Sequence, residues 1–106
     1  MIKHVVCYQL HERTENKKQE VKKMFMSMKD KIEVIKELQV GLDFLKSERS
    51  YDVVLEITFD SVEDMNAYQK HEYHLGTVKP FMAKAKKLSV SVDYEFYGVR
   101  YVFSGS

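Results

Sequence analysis

Along residues 2 to 10 the side chains alternate, with Ile2, His4, Val6, Tyr8 and Leu10 on one side and Val5 and Cys7 on the other. That spacing predicts a strand that is apolar on both faces. A polar stretch, His11 to Asn16, follows. From Lys17 onward Val21, Met24, Phe25, Met28 and Ile32 recur at helical spacing, and the pattern predicts a helix ending between Lys31 and Val34, with lysines and acids on its outer face. Leu38, Val40, Leu42 and Phe44 then alternate. Gly41 is costly in a helix and tolerable in a twisted edge strand, so residues 37 to 45 read as a second strand. Beyond the polar turn Lys46 to Ser50, Val53, Leu55, Ile57 and Phe59 alternate with Val54, Glu56 and Thr58 in a third strand.

Ser61 stands where its hydroxyl can cap a second helix, with Glu63 and Asp64 in the positive first turn. This helix is expected to bury Val62, Met65 and Tyr68 and to end between Glu72 and Gly76. Residues Thr77 to Lys87 make a further helical piece that turns Val78, Phe81, Met82 and Ala85 inward, with Pro80 acceptable in the first turn. Leu88, Val90, Val92, Tyr94 and Phe96 alternate with Ser89, Ser91, Asp93 and Glu95 in a fourth strand.

The order strand, helix, strand, strand, helix, strand predicts an α+β chain, a ferredoxin-like split βαβ arrangement with a four-stranded antiparallel sheet and its helices on one face. The two-faced first strand cannot show its second side to water without exposing a large apolar patch. A second copy of the chain is the simplest cover. Two sheets packed face to face give a homodimer, a dimeric α+β barrel. His4 shares the strand face of Val6 and Tyr8 and is expected to point into the barrel interior, satisfied there by a tyrosine or carboxylate. Residues 1–97 are read as this domain, and 98–106, with Val99, Tyr101 and Phe103, as a tail able to add a strand at the dimer interface.

Composition narrows the picture. A chain of 106 residues, 44% hydrophobic and 31% charged, is too apolar for a disordered tail. Its longest apolar run, the four residues Val5 to Tyr8, is far short of a membrane span, and no signal peptide is visible. Seventeen basic residues against sixteen acidic ones give +1, no sign of a nucleic-acid or membrane-surface partner. Cys7 is the only cysteine, which fits a reducing, cytoplasmic setting and a small core residue. His71 and His74 lie three apart around Glu72, but no further ligand recurs at a suitable spacing, so no metal is expected.

Several stretches together resemble the stress-responsive A/B barrel (Dabb) family. Ile2-Lys3-His4-Val5-Val6 is similar to its first strand, Tyr51-Asp52-Val53-Val54-Leu55 to its third, and Phe59-Asp60-Ser61-Val62-Glu63-Asp64 to the start of its second helix. Tyr68-Gln69-Lys70-His71-Glu72-Tyr73-His74 resembles its Tyr-x-x-His-Pro-x-His segment with Glu72 in place of proline, and Val92-Asp93-Tyr94 its closing strand. The resemblance runs from about residue 2 to 96 and implies the dimeric α+β barrel.

Its best-defined enzymatic relative is a plant polyketide cyclase that works by aldol condensation without a cofactor. This implies Tyr68 as an oxyanion-stabilising donor and His74 as general base, with His4 nearby and no cofactor. The reading is a cytoplasmic stress-responsive homodimer of undefined chemistry that binds a small apolar molecule, in the barrel interior or a helix-side cleft. Val6, Tyr8, His71, Phe81 and Tyr94 are its candidate ligand contacts. One alternative is a cofactor-independent cyclase or lyase acting on an enolisable, polyketide-like substrate through Tyr68, His74 and His4. The other is a structural dimer with a filled barrel.

Overall fold

A computed structural model describes residues 1–97; the tail 98–106, with its expected interface strand, lies outside the described residues. The first strand, β1 (Ile2–Leu10), runs through the middle of the sheet. On one side it pairs antiparallel with β3 (Val53–Phe59), and on the other with β4 (Lys86–Glu95). The strand β2 (Glu37–Leu42) flanks β3, so the order is β2-β3-β1-β4, all antiparallel. Among the described residues three α-helices, α1 (Glu15–Met26), α2 (Val62–Lys70) and α3 (Lys79–Ala85), complete the expected ferredoxin-like α+β fold. Among the described residues no helix is long and apolar enough to cross a membrane.

Each element ends for a local reason. Thr14 caps α1 by accepting from the Lys17 N–H, so the helix starts at Glu15, two residues before the expected Lys17. The helix gives way after Met26 to one 3₁₀ turn, Ser27–Asp30, earlier than the apolar stripe suggests. There the Ser27 hydroxyl bonds back to the Met24 carbonyl and meets the Tyr73 hydroxyl, both at 2.6 Å. The strand β2 stops at Leu42 and not at residue 45, because the Asp43 carboxylate accepts from the Lys46 N–H at 2.7 Å and turns the chain, leaving Phe44 and Leu45 exposed. Ser61 caps α2 as expected, accepting from the Asp64 N–H at 3.1 Å, but Val62 is half exposed and not buried. The Pro80 residue sits in the first turn of α3, and β4 begins at Lys86, two residues before its apolar alternation.

Antiparallel register assigns every side chain to a face. Ile2, His4, Val6 and Tyr8 stand opposite Phe59, Ile57, Leu55 and Val53. Ile2, those four β3 residues and Val40 form one core with Val21, Phe25, Met28 and Ile32 from the α1 segment, and Tyr8 packs against it. Each fully buried aliphatic or aromatic side chain there contributes roughly 1.5–3 kcal/mol. The expectation that His4 points into the space between two sheets is therefore corrected: it is 8% exposed and faces the helices, 5.9 Å from the Tyr68 ring. The opposite face carries Val5 and Cys7 of β1, Val54 of β3 and the apolar set of β4. Leu88, Val90, Val92 and Tyr94 are 50, 52, 62 and 47% exposed, a patch that no helix among the described residues covers. Gly41 stands on this face opposite Val54, whose Cγ1 would lie 2.9 Å from an added Cβ, so the two strands approach closely only because the side chain is absent.

Candidate functional site

The break between α2 and α3 builds the site. His71 closes α2 in an extended conformation (φ −63°, ψ 139°). Its Nδ1 accepts from the Tyr73 N–H at 3.0 Å, which starts the chain back into helix. The next turn, His74–Val78, is a π turn that runs directly into α3. A π turn holds one residue more than an α turn and so re-aims the side chains around it. Here it brings the His74 ring to 4.5 Å from the Tyr68 ring across the break. Tyr68, 2% exposed, is packed on its other side by Phe59 at 5.2 Å.

Between this segment and the helix side of β1 and β4 lies a cleft of about 270 Å³. Its apolar wall is made by Val6, Tyr8, Phe25, Val78 and Met82. Polar groups enter from three sides: Tyr68 and His74, then His4, then Ser89 and Ser91 of β4, with Lys79 and Lys86 also on the lining. A hydrogen bond joins His4 Nδ1 to the carboxylate of Asp93, its register partner on β4. An ionised carboxylate only accepts, so Nδ1 carries the proton and a neutral His4 ring keeps its lone pair on Nε2. The same logic applies to His74, whose Nδ1 donates to the Gln69 carbonyl at 3.3 Å.

The environment sets the protonation states. Burial lowers the His74 pKa below the ordinary histidine value, the nearby charges of Lys79, His4 and His71 lower it further, and the Gln69 hydrogen bond opposes them. Burial pushes the Tyr8 phenol up to about 12, and burial with a smaller effect of Tyr8 raises the Tyr68 phenol as well. At neutral pH the cleft thus offers a proton-donating phenol beside a neutral imidazole, the pairing that acid–base catalysis on a carbonyl compound requires.

The structure brings Tyr68, His74, His4, Val6 and Tyr8 together in this cleft and leaves three other candidates outside it. His71 caps α2 and lies 3.8 Å from Glu33. Phe81 lines a separate groove with His11, Glu12 and Lys84. Tyr94 stands opposite Lys3, on the face turned away from the helices. Sequence reasoning missed Asp93, Ser89 and Ser91 as functional groups. Their signal is the polar half of the β4 alternation, which register carries to the helix side opposite His4, Tyr8 and Val6. Among the described residues no group of three or more His, Cys, Asp or Glu side chains is placed to hold a metal.

No curated protein matches the chain. Among solved structures it is similar to a dimeric protein of unknown function with a ferredoxin-like fold from Bacteroides fragilis, at 29% identity and a TM-score of 0.76, covering 90% of this chain and 95% of that one. A dimeric ferredoxin-like protein of unknown function from Thermobifida fusca is similar at 20% identity and a TM-score of 0.77, with 90% of each chain covered. The hydroxynitrile lyase of Passiflora edulis shares the fold at 17% identity and a TM-score of 0.74, covering 94% of this chain and 96% of that one. The sequence model of the stress responsive A/B barrel domain, Dabb, matches residues 2–96, and the chain belongs to that family.

Proposed function

We propose that this chain works as a homodimer whose helix-side cleft binds a small, largely apolar carbonyl compound and moves a proton on it without a cofactor. The observation that carries the reading is the tilted Tyr68–His74 ring contact at 4.5 Å, in one cleft with His4, which Asp93 holds from β4. In an enolisation, His74 Nε2 takes the proton from the carbon next to the carbonyl, and the electron pair moves to the carbonyl oxygen. The Tyr68 hydroxyl donates a hydrogen bond to the developing enolate oxygen. His4, held in one tautomer by Asp93, is placed to deliver or remove the second proton. The apolar wall of Val6, Tyr8, Phe25, Val78 and Met82 holds the body of the substrate and keeps water away.

Three further observations support this frame. The similar proteins from Bacteroides fragilis and Thermobifida fusca are dimeric, and the uncovered face of β1, β3 and β4 gives a second copy an apolar surface to close. The similar Passiflora protein is a hydroxynitrile lyase, so an enzyme is built on this fold. A stress-linked role follows the family's description, and the lone, half-buried Cys7 suits a reducing, cytoplasmic setting.

The test is exchange of the α-hydrogens of phenylpyruvate and of 1-phenylpropan-2-one for deuterium, followed by proton NMR. Wild-type protein should accelerate exchange of at least one of the two. Tyr68→Phe and His74→Ala should each lose about 10²-fold or more of that acceleration while circular dichroism and dimer mass stay unchanged. Equal rates for wild type and both variants would refute the proton-transfer assignment.

A further inference from the structure

Resting on that reading of the cleft, we propose that its ligands are carboxylate monoanions, with the carboxylate seated at the Lys79–Lys86 end and the apolar body against Phe25, Tyr8, Val78 and Met82. The argument begins with charge. The residues lining the cleft include two lysines and two histidines and no aspartate or glutamate. The nearest acid of the site, Asp93, is engaged by His4 and stands outside the lining. Lys17, Lys18, Lys36 and Lys46 each meet a carboxylate within 4 Å, whereas among the described residues neither Lys79 nor Lys86 takes part in a salt bridge.

Position adds a second argument. Lys86 stands opposite Leu10 at the start of β4, and Ser89 and Ser91 follow on the same face, opposite Tyr8 and Val6. The first turn of α3 places Lys79 across the cleft from that strand. An anion between them meets two ammonium groups and the nearby Ser89 hydroxyl, which suits one planar carboxylate. Ser89 and Ser91 are exposed on the cleft side of β4, so their hydroxyls are free to meet a ligand there. The cationic end lies beside His74, so a carboxylate seated there orients the carbonyl-bearing body toward the Tyr68–His74 pair.

The test compares two inert probes of the same shape, 3-phenylpropanoate and 3-phenylpropanamide, by isothermal titration at low and at high salt. The acid should bind about tenfold more tightly than the amide, since two solvent-screened ion pairs contribute roughly two- to fivefold each. The preference should shrink in high salt. In Lys79→Ala/Lys86→Ala protein the preference should vanish while the amide binds as before, and in Tyr68→Phe protein it should persist. Equal binding of acid and amide by wild type overturns the carboxylate assignment and leaves the cleft and its proton transfer standing. Failure of both probes to bind, in a protein that still exchanges the α-hydrogens of 1-phenylpropan-2-one, overturns it too. Failure of both probes together with absent exchange removes the cleft reading itself.

Discussion

Replacing Val92 by aspartate tests the uncovered sheet face directly. Val92 is 62% exposed, next to Val5 in the row that continues to Glu56 of β3. In a single chain the new carboxylate stays in water and the fold keeps its core. In a dimer closed by this face, each copy loses roughly 1–2 kcal/mol of apolar transfer, the exposed fraction of a valine's full burial. Each copy also buries a carboxylate without a partner, at an effective cost of several kcal/mol, with Glu56 adding like charge. Two copies together lose at least about 6 kcal/mol, a rise of more than 10⁴-fold in the dissociation constant. Sedimentation equilibrium between 1 and 100 μM should show a wild-type dimer and a Val92→Asp monomer with an unchanged circular dichroism spectrum. Val62→Asp, at a half-exposed valine on α2, should remain dimeric. A Val92→Asp protein that associates as tightly as wild type, or a wild type monomeric at 100 μM, would defeat the reasoning.

Two other outcomes follow from groups inside the fold. The His74 pKa is lower in the folded chain than in the unfolded one, so below the ordinary histidine value the unfolded chain binds the extra proton more readily and stability falls as the pH drops through that region; above it the effect disappears. Urea titrations of wild type should therefore weaken on the acid side of pH 6.5 more than those of His74→Gln, and parallel curves would contradict the assignment. Asp52, 3% exposed, accepts from the Leu10 N–H at 2.8 Å and from Arg13 Nε at 3.1 Å, so it holds the end of β1 against β3. Asp52→Ala leaves a buried N–H unpaired and should lower stability by about 2–4 kcal/mol, against under about 1 kcal/mol for Arg13→Gln, whose side chain is half exposed. Similar urea midpoints for wild type and Asp52→Ala would show that this carboxylate is dispensable.

The strands were legible because period-two alternation is a local signal, and the pairing order follows once two helices must share one face. Boundaries were not, since they depend on single side chains acting on the backbone: the Ser27 hydroxyl on the Met24 carbonyl, the Asp43 carboxylate on the Lys46 N–H. Val62 misled because an apolar residue in the first turn of a helix reads as core by type, while its actual exposure is decided by how α2 tilts onto β1 and β3. Of the candidate site, Tyr68, His74 and His4 were reachable by resemblance. Asp93 was reachable only through register, because a residue 89 positions away from His4 carries no local mark of the contact.

The β4 strand shows why the face of an edge strand has to be argued from charge as well as apolarity. Its alternation alone allows the apolar half, Leu88 to Tyr94, to face either the helices or a second sheet. The helix side already holds a core filled by β1, β2 and β3, and a fourth apolar row there would close the space in front of Tyr68. Turning the serines and Asp93 inward keeps that space open and gives His4 its carboxylate; turning the valines outward leaves an apolar surface that needs a partner. One register choice therefore sets both the cleft and the exposed apolar face proposed to close the dimer. A one-residue slip of β4 would exchange the two sets and remove both together, so a one-residue insertion between Lys87 and Leu88 that shifts the pairing of Leu88 to Glu95 by one against β1 should abolish dimerisation and α-hydrogen exchange in the same protein. Loss of only one of the two would show that the strand does not couple them.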